Sequence, residues 1–353
     1  MVDALKKERP ALVEQVNSKE VKEVFNSGKG IIFQDTTQRI ELKNNPRISV
    51  ATTPHRTKPM TNGEWFWLDL LLRCSKPKVS QITQAEYAQK TAAQQANLKD
   101  VGAFIPGEVG PNRKTRSRYC LTLDLDYATA ELWAVFIPLF DVAAFLYSTR
   151  KHTPEAARFR LVILLDRPVM EDEHEAVSRW LAGQLGINLF DDTTFQFNRL
   201  MYWPSVDKDA QFIFEYQDGS ALCVDEVLGK YTNWRDQSEW PYSSRVKKEI
   251  HDRKKQQQDP LTKRNFVGTF CRAYTISEAI ERFLSKVYFP TADPTRFTYA
   301  KGSTFGGLVV YDDKFAYSHH STDPAGDKLC NAFDLVRYHL TDDDITLIEE
   351  GKK

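Results

Sequence analysis

The sequence predicts a chain of α/β or α+β class, with one sheet domain followed by a smaller compact domain. Two observations carry this. Between residues 119 and 185 short aliphatic strand-like runs alternate with helix-like ones. Beyond a basic, glutamine-rich stretch at 245–264 a second patterned region begins. At 353 residues there is room for two domains. Basic and acidic residues number 48 each, so the net charge names no partner.

Residues 1–47 are rich in lysine and glutamate and read as an N-terminal extension. Met1 to Pro10 is charged and has no apolar core, so no signal peptide is expected. Gly63 to Cys74 reads as a buried helix, and Gln84 to Asp100 as a polar one. Tyr119–Leu125 and Phe159–Leu165 read as buried strands, each running into an aspartate. Between them the pattern gives a helix over Ala130–Phe140 and a strand over Val142–Ser148. After Pro168, Ala176, Val177, Trp180, Leu181 and Leu185 recur at helical spacing, with Gly186 as the stop. Arg245–Arg264 carries eight basic and three acidic residues and reads as a basic linker. Thr275 and Glu278 form a capping box ahead of an amphipathic helix. Gly307–Tyr311 and Lys314–Tyr317 flank Asp312-Asp313 as a hairpin.

Leu123-Asp124-Leu125-Asp126 carries the most chemistry. On a strand, positions i and i+2 share a face, which places Asp124 and Asp126 side by side. Adjacent carboxylates both stay ionised when a cation lies between them, and hard oxygen ligands suit Mg²⁺ or Mn²⁺. Asp166, at the end of another apolar run, supplies a third carboxylate. Three such groups fit a two-metal phosphoryl transfer. A lone DxD equally suits a solvated strand end, and glycosyltransferases use one to hold a metal and a nucleotide-sugar diphosphate. Ser148-Thr149-Arg150-Lys151-His152 follows the middle strand. Ser148, His152, Arg158 and Arg160 are suitable donors to phosphate oxygens.

The order LDLD (123–126), STRKH (148–152) and RFRLVILLDRPV (158–169) resembles the three motifs of the archaeo-eukaryotic primase superfamily. FIPGEVGPNRKTRSRYCLTLDLDYA (104–128) and DDTTFQFNRLMYWPS (191–205) resemble primase-polymerases of prophages, plasmids and mobile islands. The resemblance spans about 48–245. It implies an α+β fold, with an RRM-like catalytic sheet beside an N-terminal αβ unit, and a small C-terminal α/β domain. The domains expected are the extension (1–47), a catalytic domain (48–244), the linker (245–264) and an accessory domain (265–353). It further implies that Asp124, Asp126 and Asp166 hold two Mg²⁺ or Mn²⁺ ions. Ser148, His152, Arg158 and Arg160 would bind the triphosphate of an NTP or dNTP, with Arg199 at its pocket. The serine-to-histidine spacing departs from the compact pattern of some relatives, which puts more weight on His152 than on Ser148.

Such enzymes copy a single-stranded DNA template, starting or extending a primer. Pro111–Arg118 (PNRKTRSR) leads into the DLD strand and offers Arg113, Lys114, Arg116 and Arg118 to DNA phosphates. Residues 270–284 and 317–339 resemble the segment that precedes a helicase ATPase in prophage replication proteins. The sequence has no Walker motif, so a replicative helicase is expected in trans or on a missing C-terminal part. His319, His320, Asp323 and Cys330 match no standard zinc spacing and read as a polar turn with a buried cysteine. The five widely spaced cysteines read as buried free thiols, and no run reaches a membrane span, which points to the cytoplasm.

Three other functions compete. A catalytically idle DNA-binding module that recruits a helicase has no reason to keep the carboxylates and histidine. A nucleotide-sugar transferase leaves the basic segments unexplained. A rolling-circle nickase lacks its His-hydrophobic-His motif.

Overall fold

The computed structural model describes residues 42–320 and 322–340, so the expected N-terminal extension lies outside the described residues except for 42–47. The chain divides into two compact units after Leu228. The expected boundary at 244/245 therefore falls inside the second unit.

The first unit opens with β1 (Arg47–Thr53) and β2 (Thr61–Phe66), an antiparallel pair, followed by α1 (Trp67–Ser75). The first third of the helix expected over Gly63–Cys74 is thus an edge strand. The aromatic cluster Trp65-Phe66-Trp67 runs across the boundary and hides it from an apolar-run reading. The Phe66 N–H donates to Asp69 Oδ2 at 2.9 Å and starts the helix there. After the short β3 (Lys78–Val79), the polar helix expected over Gln84–Asp100 is two helices, α2 (Gln84–Ala88) and α3 (Ala92–Lys99). Each starts at its own capping box, Thr83/Glu86 and Thr91/Gln94.

Next come β4 (Ala103–Ile105), β5 (Gly107–Val109), β6 (Thr115–Leu125), α4 (Leu132–Leu139), β7 (Ala144–Ser148), β8 (Phe159–Val169) and α5 (Glu171–Leu185). Gly186 ends α5 at φ 103°, as expected of that stop. The unit finishes with β9 (Met201–Tyr202), β10 (Ser205–Val206), β11 (Phe214–Gln217) and α6 (Val224–Leu228).

The main sheet has the order β11-β7-β8-β6-β5, and a second has the order β2-β1-β4-β9. Residues 120–125 and 159–165 are buried throughout, because both faces of these central strands are covered. Trp67, Leu70, Phe104, Phe145, Val162 and Leu164 share one core cluster that joins α1 to strands of both sheets. β5 lies so close to β6 that a side chain at Gly107 would meet the Ser117 carbonyl at 1.9 Å. The mixed sheet-and-helix class expected from the sequence holds.

The second unit contains α7 (Ser244–Gln256), α8 (Phe266–Ala273) and α9 (Ile276–Phe283), then β12 (Tyr288–Pro290), β13 (Arg296–Tyr299), β14 (Leu308–Tyr311), β15 (Phe315–Ser318), β16 (Leu329–Cys330) and α10 (Ala332–Arg337). The expected basic linker is largely helical. Residues 244–256 hold neither glycine nor proline, their Lys, Arg, Glu and Gln favour helix, and Ser243 caps the start. β12 to β16 pair in sequence order as an antiparallel meander. The Thr275 capping box forms as expected, and so does the hairpin. Asp312 and Asp313 take left-handed φ of 52° and 51°, and the Asp313 carboxylate also accepts from the Ser277 N–H at 2.8 Å.

Among the described residues no helix is long and apolar enough to cross a membrane. The cysteines are free, and all but the half-buried Cys223 are buried.

Candidate active site

The direction of the central strands decides what gathers at which end. β8 is antiparallel to both β6 and β7, so β6 and β7 finish at the edge where β8 begins. That edge collects Asp124 and Asp126, the segment 148–152, and Arg158 with Arg160. Asp124 sits directly opposite Arg160 in the register. Nε and a terminal nitrogen of Arg160 both reach Asp124 Oδ1 at 2.7 Å. Its other terminal nitrogen donates to the Tyr147 hydroxyl at 3.0 Å and to the Tyr202 carbonyl at 2.8 Å. Burial opposes the Arg160 charge, but Asp124 and Tyr147 outweigh it and raise its pKa. Arg160 is therefore committed to positioning Asp124. Arg158 pairs with Asp126 Oδ2 at 3.1 Å in a half-exposed setting.

His152 is held with its ring buried. Its Nδ1 accepts the Arg158 backbone N–H at 3.2 Å, which leaves the proton of the neutral ring on Nε2. That Nε2 is buried and has no hydrogen-bond partner. Phe159 packs against the ring at 5.0 Å, and burial pushes the imidazole pKa down, which keeps it neutral. An orphaned buried donor is disfavoured by about 1–3 kcal/mol unless an acceptor arrives. Ser148 is already used, since its Oγ accepts the Ile213 N–H at 2.9 Å and fixes the end of β7.

Asp166 does not join this edge. β8 continues past it to Val169, and Asp166 lies six residues beyond Arg160, roughly 20 Å away along the strand. The expectation that Asp166 shares a site with Asp124 treated the end of an apolar run as the end of a strand and overlooked the antiparallel direction. Asp166 instead caps α6, accepting the Val224 N–H at 3.0 Å.

The acidic residue whose backbone meets Asp124 is Asp191. Its N–H donates to the Asp124 carbonyl at 2.9 Å, and the Asp124 N–H donates to Thr194 Oγ1 at 2.7 Å. The Asp191 carboxylate accepts from the Thr193 hydroxyl at 2.8 Å and pairs with Arg199 at 3.2 Å. Arg199 thus lies at the edge through Asp191. The only sequence signal for Asp191 was its place at the head of the DDTTFQFNRLMYWPS stretch.

Lys99, the last residue of α3, also went unnoticed. Its ammonium lies 5.5 Å from the centre of the Tyr202 ring, with no hydrogen-bond or ion-pair partner among the described residues. Burial and the nearby Arg160 lower its pKa, while Asp124 and Asp126 oppose that. The cavity between Lys99, Thr149, Arg160 and Tyr202 is about 10 Å³, room for one water and nothing larger.

The basic segment 111–118 is also displaced from its expected place. Because β6 is 11 residues long, Arg116 stands eight residues before Asp124, roughly 26 Å away. Arg118 is fully buried and donates to the carbonyls of Phe197 and Arg199 at 2.7 and 2.6 Å. Burial pushes its pKa down to about 9. A side chain so enclosed does not meet DNA, and its role is to hold residues 197–199 against β6.

Among the described residues no three Asp, Glu, His or Cys groups stand together as a ready metal cage. The donor set still fits a hard divalent ion in kind. The two ion pairs use Oδ1 of Asp124 and Oδ2 of Asp126, which leaves one carboxylate oxygen on each. In the second unit, His320 and Asp323 serve the fold. His320 meets Thr304 Oγ1 at 3.0 Å, and Asp323 accepts from Ser318 and Tyr288 at 2.6 and 2.7 Å.

Among curated proteins no sequence matches the chain. Three solved structures are similar, all with a TM-score of 0.30. The AEP domain of a primase-polymerase of cyanophage S-2L is 13% identical and covers 52% of this chain and 88% of its own. The catalytic domain of primase RepB′ in complex with initiator DNA is 12% identical, covering 61% and 92%, and primase RepB′ is 10% identical, covering 69% and 73%. Likenesses this slight settle neither the fold nor the chemistry. The family described as the VapE N-terminal domain matches residues 33–243, more than half of the sequence, and the chain belongs to it.

Proposed function

We propose that this chain is a DNA-templated primase-polymerase of a mobile-element replication system, acting through an RRM-like catalytic sheet. The observation that carries the reading is one sheet edge. It brings together a carboxylate pair, Asp124 and Asp126, and a buried imidazole whose Nε2–H lacks an acceptor. Asp124, Asp126 and Asp191 are the groups that would hold two Mg²⁺ or Mn²⁺ ions. Such ions, when bound, supply charge neutralisation and polarise the reacting oxygens. His152 Nε2–H and the Lys99 ammonium meet the triphosphate of the incoming NTP or dNTP, with Arg158 beside them. Arg160 and Arg199 keep Asp124 and Asp191 in place. The primer hydroxyl oxygen then bonds to the α-phosphorus as the bond to pyrophosphate breaks, the hydroxyl proton passing to solvent.

A second reading, an idle single-stranded-DNA-binding module that recruits a helicase, is favoured by the engagement of both carboxylates with arginines. One assay separates the two. Incorporation is followed on single-stranded DNA with Mg²⁺ or Mn²⁺, with and without an annealed primer, for wild type and Asp124→Asn/Asp126→Asn. Product without primer that the double variant fails to make identifies a primase, and product only with primer identifies a polymerase. Retained DNA binding with no product in either lane sinks the catalytic reading.

A further inference from the structure

The far end of β6 holds an open groove of about 580 Å³. It is lined by the apolar Pro59, Met60 and Val109 and by Arg113 and Arg116. Asn62 ties this lining together by exchanging two hydrogen bonds with Val109, both of 2.9 Å. Arg113 donates to the Lys58 carbonyl at 2.6 Å, which fixes its guanidinium. Among the described residues neither Arg113, Lys114 nor Arg116 has a carboxylate within ion-pair distance. Asn112 and Arg113 both take left-handed backbone conformations, φ 55° and 59°. For arginine that conformation is strained, and such strain collects where a structure clamps a ligand.

We propose that this groove grips the sugar-phosphate backbone of single-stranded nucleic acid, with a base against its apolar lining, at a distance from the carboxylate edge. The inference rests on the proposed function only for the second contact at that edge. Arginines beside apolar side chains suit single strands, because every nucleotide offers one phosphate and one flat face. The separation of roughly 26 Å corresponds to about seven or eight nucleotides at the 3.4 Å rise of a stacked strand. A strand shorter than that reaches one contact and not both.

The test is anisotropy of labelled oligothymidylates of 4 and 16 nucleotides over a salt series, with wild type, Arg113→Ala/Arg116→Ala and Arg116→Glu. The single variant leaves the Arg113 bond to Lys58 intact and guards against misfolding, with melting curves as control. The 16-mer is expected to lose about tenfold or more in affinity in both variants, and the slope of log K on log salt to flatten by about 1.4 in the double variant. Nucleotide binding, read by titration with a fluorescent dNTP, stays unchanged. Equal 16-mer affinity and salt slope in wild type and variants overturns the proposal, and so does loss of dNTP binding in Arg116→Glu. If wild type incorporates no nucleotide but its 16-mer binding depends on Arg113 and Arg116, the catalytic reading fails while the groove stands.

Discussion

Replacing Asp166 by alanine is expected to leave nucleotide incorporation nearly untouched. Asp166 lies roughly 20 Å along β8 from the Asp124 level. Two unit charges at that separation in water interact by about 0.2 kcal/mol, a factor of about 1.4 in rate, and salt screens most of it. The change is felt in stability instead. The Asp166 carboxylate accepts the Val224 N–H at the start of α6, and a lost cap of this kind costs about 1 kcal/mol. For a unit of this size that lowers the melting temperature by about 2–4 °C. Asp191→Asn is the counterpart, since it keeps an acceptor for the Thr193 N–H but removes the charge that pairs with Arg199 and that the proposed function assigns to metal binding. It is expected to lower incorporation by at least about 100-fold with little change in melting. The assay is primer extension with a labelled dNTP, run beside thermal melting. An Asp166→Ala protein that melts near wild type yet makes no product would refute the geometric argument, as would a fully active Asp191→Asn.

Lys99→Met should raise the KM for dNTP about tenfold while kcat and melting hold, because it removes one cation from the triphosphate and keeps the stem over Tyr202; an unchanged KM removes Lys99 from the site. Arg118→Met should cost about 2 kcal/mol in urea unfolding, as the Phe197 and Arg199 carbonyls lose a buried donor, with oligonucleotide affinity unchanged. His320 gives a pH test. Burial lowers its pKa to about 4, so the unfolded chain takes up the proton first. The stability this group contributes is complete above about pH 6.5 and is lost as pH falls towards 4, about 2 kcal/mol of it by pH 5. Urea unfolding at pH 7 and pH 5 checks it, and the expected difference shrinks in His320→Gln.

The strands that build the site were legible because their residues are buried on both faces and so appear as unbroken apolar runs. Asp124, Asp126 and His152 lie where such runs end, and the structure places them at one edge. Direction was not legible. The composition of Phe159–Leu165 is the same whether the strand runs up or down, and only the pairing with β6 shows that Asp166 points away from Asp124. Arg118 was misread for a related reason. Its neighbours in sequence are basic and polar, while the carbonyls that bury it come from 79 and 81 residues further on. Lys99 reaches the site from another layer and carried no local mark. The split at Trp67 and the second cap at Thr91 show that hydrophobic runs locate elements better than they separate them.

The stretch from Asp191 to Trp203 is pinned at both ends of the same strand. The Asp191 N–H donates to the Asp124 carbonyl and Thr194 Oγ1 accepts the Asp124 N–H of β6, and Arg118 grips the carbonyls of Phe197 and Arg199 further back. Arg160 holds the Tyr202 carbonyl, and the Trp203 N–H reaches Gly102 in the other sheet. Mechanically this stretch is a lashing between two plates, tied at six points with little slack. Such a lashing does not loosen one knot at a time, so the amides of Asp191, Thr194 and Trp203 should exchange with deuterium at a common opening free energy. The carboxylates then inherit their steadiness from a length of chain whose own regular structure is one short 3-10 helix, Asp192–Phe195, and the two-residue β9.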